Sequence, residues 1–181
     1  MARPVERKLN LRPRSGGGFT LIELVAVMVI IAILAGVAAP ALNTMGSTRS
    51  TIASRQLVRD MTYARQRAVS TGTRVWVVFD TSAETWTLRT EVSATPGRSS
   101  AVDLTDPATG TVYMETLGTG SFKGVEIVSA SFDGSAEVGF DWLGRPLNAS
   151  ESGLAAAGTV VLSDSNTIQV VAGTGHITHV P

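Results

Sequence analysis

The chain contains no cysteine, few lysines and, over the sixteen residues from Leu24 to Ala39, no charged or strongly polar side chain. Without thiols there is neither a disulfide framework nor a thiolate metal site, so an exported domain must rest on its core. No Gly-x-Ser-x-Gly elbow is present, and the only histidines, His176 and His179, support no Ser/His/Asp triad. No Lys-Ser or Lys-Thr follows Gly16-Gly17-Gly18, which excludes a phosphate loop. At 181 residues the chain has room for one ordinary domain and a membrane segment, but not for a second, catalytic domain. No internal repeat is visible. The expectation is a non-enzymatic protein with no catalytic residue, no cofactor and no metal.

A formal charge of zero hides a strong asymmetry. Residues 1–18 hold five basic side chains against Glu6, a net +4. Arg49, Arg55, Arg59, Arg65, Arg67 and Arg74 crowd one later stretch, and from Val75 onward four basic groups face twelve acidic ones, a net −8. Such a C-terminal region is a poor phosphate-binding surface.

Residues 1–18 are polar and basic, the one segment read as unstructured, and end in Ser15-Gly16-Gly17-Gly18. Phe19 then opens the run FTLIELVAVMVIIAILAGVAAP. As a helix, these 22 residues would reach roughly 33 Å at about 1.5 Å each, enough to cross a bilayer core. A secretory signal would place its small residues after the apolar stretch, whereas here they precede it, so processing would leave the helix on the mature chain. A basic flank held in the cytoplasm puts the C-terminal domain outside.

Beyond Pro40, Leu57, Met61, Ala64 and Ala68 recur at spacings of four, three and four, one face of a helix expected to run to about residue 70 and stop at Thr71-Gly72. Arg55, Arg59 and Arg65 remain for its other faces. Short apolar or alternating runs follow at Arg74–Asp80, Trp86–Glu91, Val112–Leu117, Val125–Ser131, Ala136–Phe140, Thr159–Leu162, Thr167–Val171 and His176–Val180, which predicts an antiparallel sheet or sandwich. Thr95–Ala101 and Leu147–Ala157 read as loops. The fold class is therefore α+β, a long N-terminal helix packed on an antiparallel β-rich head. Its expected divisions are a leader at 1–18, a transmembrane helix at 19–42, an amphipathic continuation at 43–72 and a head at 73–181.

Gly18-Phe19-Thr20-Leu21-Ile22-Glu23, followed by the apolar helix, resembles the prepilin cleavage and N-methylation motif of type IV pilins and type II secretion pseudopilins. The resemblance implies that a prepilin peptidase cuts between Gly18 and Phe19 and methylates the new amino group of Phe19. It also makes Glu23 the acidic position that guides subunits into a filament. The physics is consistent: Gly18 lets the backbone lie extended in a crowded protease cleft. A carboxylate in an apolar zone costs roughly 2.5 to 3.5 kcal/mol on insertion scales, so Glu23 should have a partner, and the Phe19 ammonium is the nearest cation after cleavage. Thr20 and Glu23 also fit a capping box, which is compatible with that role. Gly36 and Pro40 mark an expected kink or soft point, or, for Pro40, the membrane exit.

Phe140-Asp141-Trp142-Leu143-Gly144-Arg145-Pro146, Gly158-Thr159-Val160-Val161-Leu162, Thr167–Val171 and Gly173-Thr174-Gly175-His176-Ile177 resemble the GspH/FimT family of minor pseudopilins. That implies a structural subunit of a type II secretion pseudopilus or a type IV pilus. Its partners would be the prepilin peptidase, other pilin-like subunits, the inner-membrane assembly machinery and the bacterial inner membrane, crossed once with the N-terminus cytoplasmic, before passage into the filament. The alternative is a DNA-binding minor pilin of natural transformation. Such proteins use arginines near the C-terminus, and no Lys or Arg follows Arg145 here, so nucleic acid is not an expected partner. Arginines 49–74 are left for solvent, headgroups or neighbouring subunits.

His176 and His179 are expected as ordinary edge-strand residues on opposite faces. Asp103, Asp106 and Glu115 are expected as solvated loop charges, and Trp76, Trp86 and Trp142 as core.

Overall fold

The computed structural model describes residues 18–180, apart from the side chains of 37–45. The chain divides into two compact units, Met1–Ala41 and Leu42–Pro181. A single helix, α1, is assigned from Leu21 to Thr71. Thr20 caps it: its Oγ1 accepts the backbone N–H of Glu23 at 3.3 Å, and its carbonyl accepts that of Leu24 at 3.2 Å. At the other end Gly72 takes φ 69°, where glycine carries no side-chain penalty, and its N–H closes the last turn on the Ala68 carbonyl at 3.0 Å.

Among the described residues ten strands follow: β1 (Val75–Asp80), β2 (Thr85–Thr90), β3 (Val102–Asp103), β4 (Met114–Thr116), β5 (Ile127–Ser131), β6 (Glu137–Phe140), β7 (Pro146–Leu147), β8 (Gly158–Leu162), β9 (Thr167–Val170) and β10 (Ile177–Val180). They form two antiparallel sheets, ordered β3-β2-β1-β6-β7 with β4 also on β2, and β10-β9-β8-β5. The β1–β2 hairpin runs in register from Val75 opposite Thr90 to Asp80 opposite Thr85. Its turn is held by Asp80 Oδ1, which accepts the N–H groups of Ser82 and Ala83.

Period-two burial builds the core. Val75, Val77 and Phe79 from β1, Trp86 and Leu88 from β2, and Val138 and Phe140 from β6 face the same interior as Ile127, Val160, Leu162, Ile168 and Val170 of the second sheet. The helix closes it with Ala53, Leu57, Met61, Ala64 and Ala68, all 0% exposed. Burying Leu57 or Met61 stabilises by about 1.5–3 kcal/mol each. Gly158 lets the ring of Phe132 lie on the backbone, since a Cβ there would fall 2.0 Å from Cδ1.

The loops around 91–98 and 147–154 are pinned by carboxylates. Glu91 accepts the N–H of Arg74 at 2.9 Å and of Gly97 at 3.2 Å, while Glu151 accepts that of Arg98 at 2.7 Å and pairs with the Arg74 guanidinium.

Three details depart from the sequence reading. Two-residue strands β3 and β7 were not expected, and β7 places Leu147 in a sheet rather than in a loop. Trp142 is not core: it lies in the turn after β6, 48% exposed, with the Arg74 guanidinium 5.9 Å from its ring centroid. Asp103, Asp106 and Glu115 are not simply solvated loop charges. Asp103 pairs with Arg89 at 3.0 Å, Asp106 accepts the Ala108 N–H at 2.8 Å, and Glu115 sits half-buried on β4 opposite Trp86.

Candidate functional site

The sequence motif and the exposed part of α1 form one feature. Gly18 and Phe19 are both exposed, Phe19 at 80%, so the peptide bond between them is accessible. From Leu21 to Leu34 every large apolar side chain is exposed, from 45% at Val25 to 81% at Leu21. Because successive residues turn by about 100°, this surface is apolar around the whole circumference rather than along one stripe. Glu23 is the only charged residue on it. Water solvates such a rod poorly, and at about 25 cal/mol per Å² its burial is a large driving force for any apolar environment that covers it.

Among the described residues no helix is long and apolar enough to cross a membrane. The side chains described in this segment end at Gly36, and the sixteen residues Leu21 to Gly36 reach only about 24 Å against a bilayer core of about 30 Å. The expected span of 19–42 also uses residues 37–42, whose side chains lie outside the described set. So do residues 1–17 of the expected leader and the ring of Pro40. Gly36 is open, with nothing within 4 Å of a Cβ placed there.

Further along, α1 is fastened to the head by polar groups that the sequence reading did not single out. Asp60 is turned inward at 1% exposure, where its carboxylate accepts Trp86 Nε1–H at 2.9 Å, Tyr113 O–H at 3.0 Å and Gln56 Nε2–H at 2.9 Å. Burial pushes its carboxyl above the ordinary range, with those hydrogen bonds partly opposing the shift. The only available signal was its position as the single acid of an arginine-rich helical stretch.

Arg65 donates to the carbonyls of Gly144 at 2.9 Å and Thr174 at 3.1 Å, tying two turns to the helix. Arg49 donates to the carbonyl of Lys123 at 3.3 Å. These two arginines therefore hold the head together, in contrast to the expectation that the whole group faces outward.

His176 precedes β10 and is exposed, while His179 on that edge strand is half-buried, with Nε2 2.8 Å from Asn166 Oδ1. Asn166 in turn donates to Ser50 Oγ on the helix at 2.9 Å. Among the described residues no group of acids and histidines is arranged to hold a metal ion. Arg145, the last basic residue, is engaged by Asp141 at 2.8 Å.

An accessible Gly-Phe bond, a capped apolar helix and an antiparallel two-sheet head together define a pilin-like protein. Residues 14–39 match the family model of the prokaryotic N-terminal methylation motif, and residues 53–175 match that of the type II transport protein GspH. The chain belongs to the GspH family and is a GspH-type pseudopilin of type II transport. Two solved structures of the minor pseudopilin EpsH from the type II secretion system of Vibrio cholerae share its fold. One aligns with a TM-score of 0.54 at 8% identity, over 74% of this chain and 96% of that one. The other gives 0.50 at 9% identity, over 73% and 96%. No curated protein matches the chain closely enough to count as a relative.

Proposed function

We propose that the chain is a structural, non-catalytic minor pseudopilin. It is cut by prepilin peptidase between Gly18 and Phe19 and methylated on the new amino group, and residues 19–42 anchor it in the inner membrane until assembly. Residues 1–18 stay cytoplasmic before cleavage and the head, 73–181, lies outside. On assembly, the apolar circumference of α1 exchanges lipid for the helices of other pilin-like subunits, while residues 43–72 carry the head.

The observation that carries this reading is the all-round exposure of apolar side chains from Leu21 to Leu34, interrupted only by Glu23. A helix apolar on every side belongs in lipid or in a protein core, and the filament supplies the second after the membrane has supplied the first. Glu23 is costly in either place unless paired. The ammonium that cleavage creates on Phe19 of a neighbouring subunit provides the partner, so subunits are selected by charge while being held by packing.

Intact-mass and N-terminal peptide measurements on protein from peptidase-competent cells test the processing step. The expected species begins with N-methylated Phe19. Mature protein that retains residues 1–18 would refute it.

A further inference from the structure

We propose that Asp60 on α1 and Glu115 on β4 form a pH-sensitive clasp at the edge of β2: sharing one proton they hold residues 112–116 on the helix, and with both carboxyls ionised they loosen that stretch. β3 and β4 belong to one arm along the edge of β2, paired with it over only two and three residues. Leu104 and Leu117 are buried and fix the arm at either side. Between them Val112, Met114 and Thr116 are exposed, so this stretch is held by backbone bonding, by the Tyr113 ring stacked on Tyr63 and by polar contact with Asp60. The Leu88 N–H donates to the Tyr113 carbonyl at 3.0 Å, and the Tyr113 N–H to that of Leu104 at 2.7 Å. Loosening uncovers the edge of β2, and a bare strand edge pairs readily with another extended chain.

The cluster holds two acids and one cation. Asp60 is buried and accepts from Trp86, Tyr113 and Gln56. Glu115 stands opposite Trp86 in the ladder, so it shares the helix-facing side, half-buried and near enough to Asp60 for their charges to act on each other. Among the described residues Arg59 is the one cation acting on both. Burial and the Asp60 charge, with Asp106 and Tyr63 adding to them, push the Tyr113 hydroxyl up, so it stays an O–H donor throughout the acidic and neutral range. Doubly ionised, the cluster carries a charge that Arg59 does not offset, in a partly desolvated place. Burial, and then the Asp60 charge, raises Glu115 above its ordinary 4.5, while the Thr116 N–H and Arg59 partly oppose the shift. Burial raises Asp60 likewise, and the two titrate as a pair. Raised folded values mean stabilisation that is fully present below the ordinary values and lost as pH rises through the raised ones, so the clasp is closed in acid and looser above.

Amide hydrogen exchange on the full-length chain in detergent tests this, normalised at each pH to the unfolded chain, from about pH 4.5 to about pH 8. Protection of residues 112–116 and of the Leu88 amide should fall roughly three- to tenfold across that range relative to β8 and β9, the size of up to about one unit of differential proton affinity. Glu115→Gln should keep protection near its acid level throughout. Tyr113→Phe should lower protection at every pH and leave the fall in place, which is all that a merely structural contact would do. Arg59→Gln, at an exposed position, removes the offsetting cation and should move the fall to higher pH. Wild-type protection that does not change with pH, or a fall that survives in Glu115→Gln, overturns the inference. If Glu115→Gln does not fold, Arg59→Gln decides, and an unmoved fall overturns it. The clasp lies within the head, so failure of processing at Phe19 or of entry into filaments leaves it standing, and its own failure leaves those steps untouched.

Discussion

The indole N–H of Trp86 on β2 donates to the carboxylate of Asp60 on α1 at 2.9 Å, inside the interface between helix and sheet. Tyr113 reaches the other carboxylate oxygen at 3.0 Å and stacks on Tyr63 with ring centroids 5.3 Å apart. One acid thus joins the helix, a central hairpin and the loop leading into β4.

The acid–base consequence has a definite sign. Burial raises the folded-state pKa of Asp60 above its ordinary 3.8, so over the interval between the two values the folded head holds a proton that the unfolded chain has released. The contribution of this group is therefore fully present below about pH 4 and is lost as pH rises through the folded value. Asp60→Asn should flatten that part of the stability–pH curve, measured by thermal unfolding in detergent from mildly acidic to neutral pH. Asp60→Leu strands the Trp86 and Tyr113 donors and should cost about 1–3 kcal/mol or more.

Close packing at Gly158 gives a second expectation. The ring of fully buried Phe132 occupies the space a side chain would need, so Gly158→Ala should destabilise by about 1–3 kcal/mol. Gly153→Ala, where nothing lies within 4 Å, is the matched control and should be close to neutral. Denaturant midpoints of the two variants decide this, and equal midpoints would contradict it.

Arg65 spans two turns with one planar fork, donating from Nε to Gly144 and from a terminal nitrogen to Thr174. Arg65→Lys keeps the charge but cannot make both bonds, so it should lose about as much stability as Arg65→Ala, on the order of 1–2 kcal/mol. Full retention of stability by the lysine variant would show that charge, not geometry, matters there.

Much of this architecture was legible in the sequence because it follows single periodicities. Leu57, Met61, Ala64 and Ala68 mark the buried helix face at 3.6-residue spacing, and Val75, Val77 and Phe79 mark a strand at two. The eight longer strands were all anticipated, whereas β3 and β7, two residues each, carry no readable period. Trp142 misled because its neighbours in sequence belong to β6, while its own position in the following turn aims the ring outward beside Arg74. Asp60 and Arg65 were invisible as fasteners because their partners, Trp86, Gly144 and Thr174, lie 26, 79 and 109 residues away. The motif at Gly18 to Glu23 needed no tertiary information, being contiguous.

If the chain is stored and assembled as proposed, Glu23 is the residue whose removal separates the two steps. Glu23→Ala or Glu23→Val removes a charge from an apolar rod, so insertion and cleavage should continue while incorporation into filaments declines. Quantifying mutant against wild type in filaments from co-expressing cells reads this out, and equal incorporation would contradict it.

The most direct test follows the apolar rod itself. A single cysteine at Leu34, 63% exposed in the isolated chain, can be joined by a short bifunctional maleimide to a cysteine in the helix of another pilin-like subunit. Adducts are expected in assembled filaments and not in membranes lacking the assembly machinery. A position 34 that stays uncoupled in filaments and as lipid-accessible as before assembly would contradict the burial of this helix in a protein core.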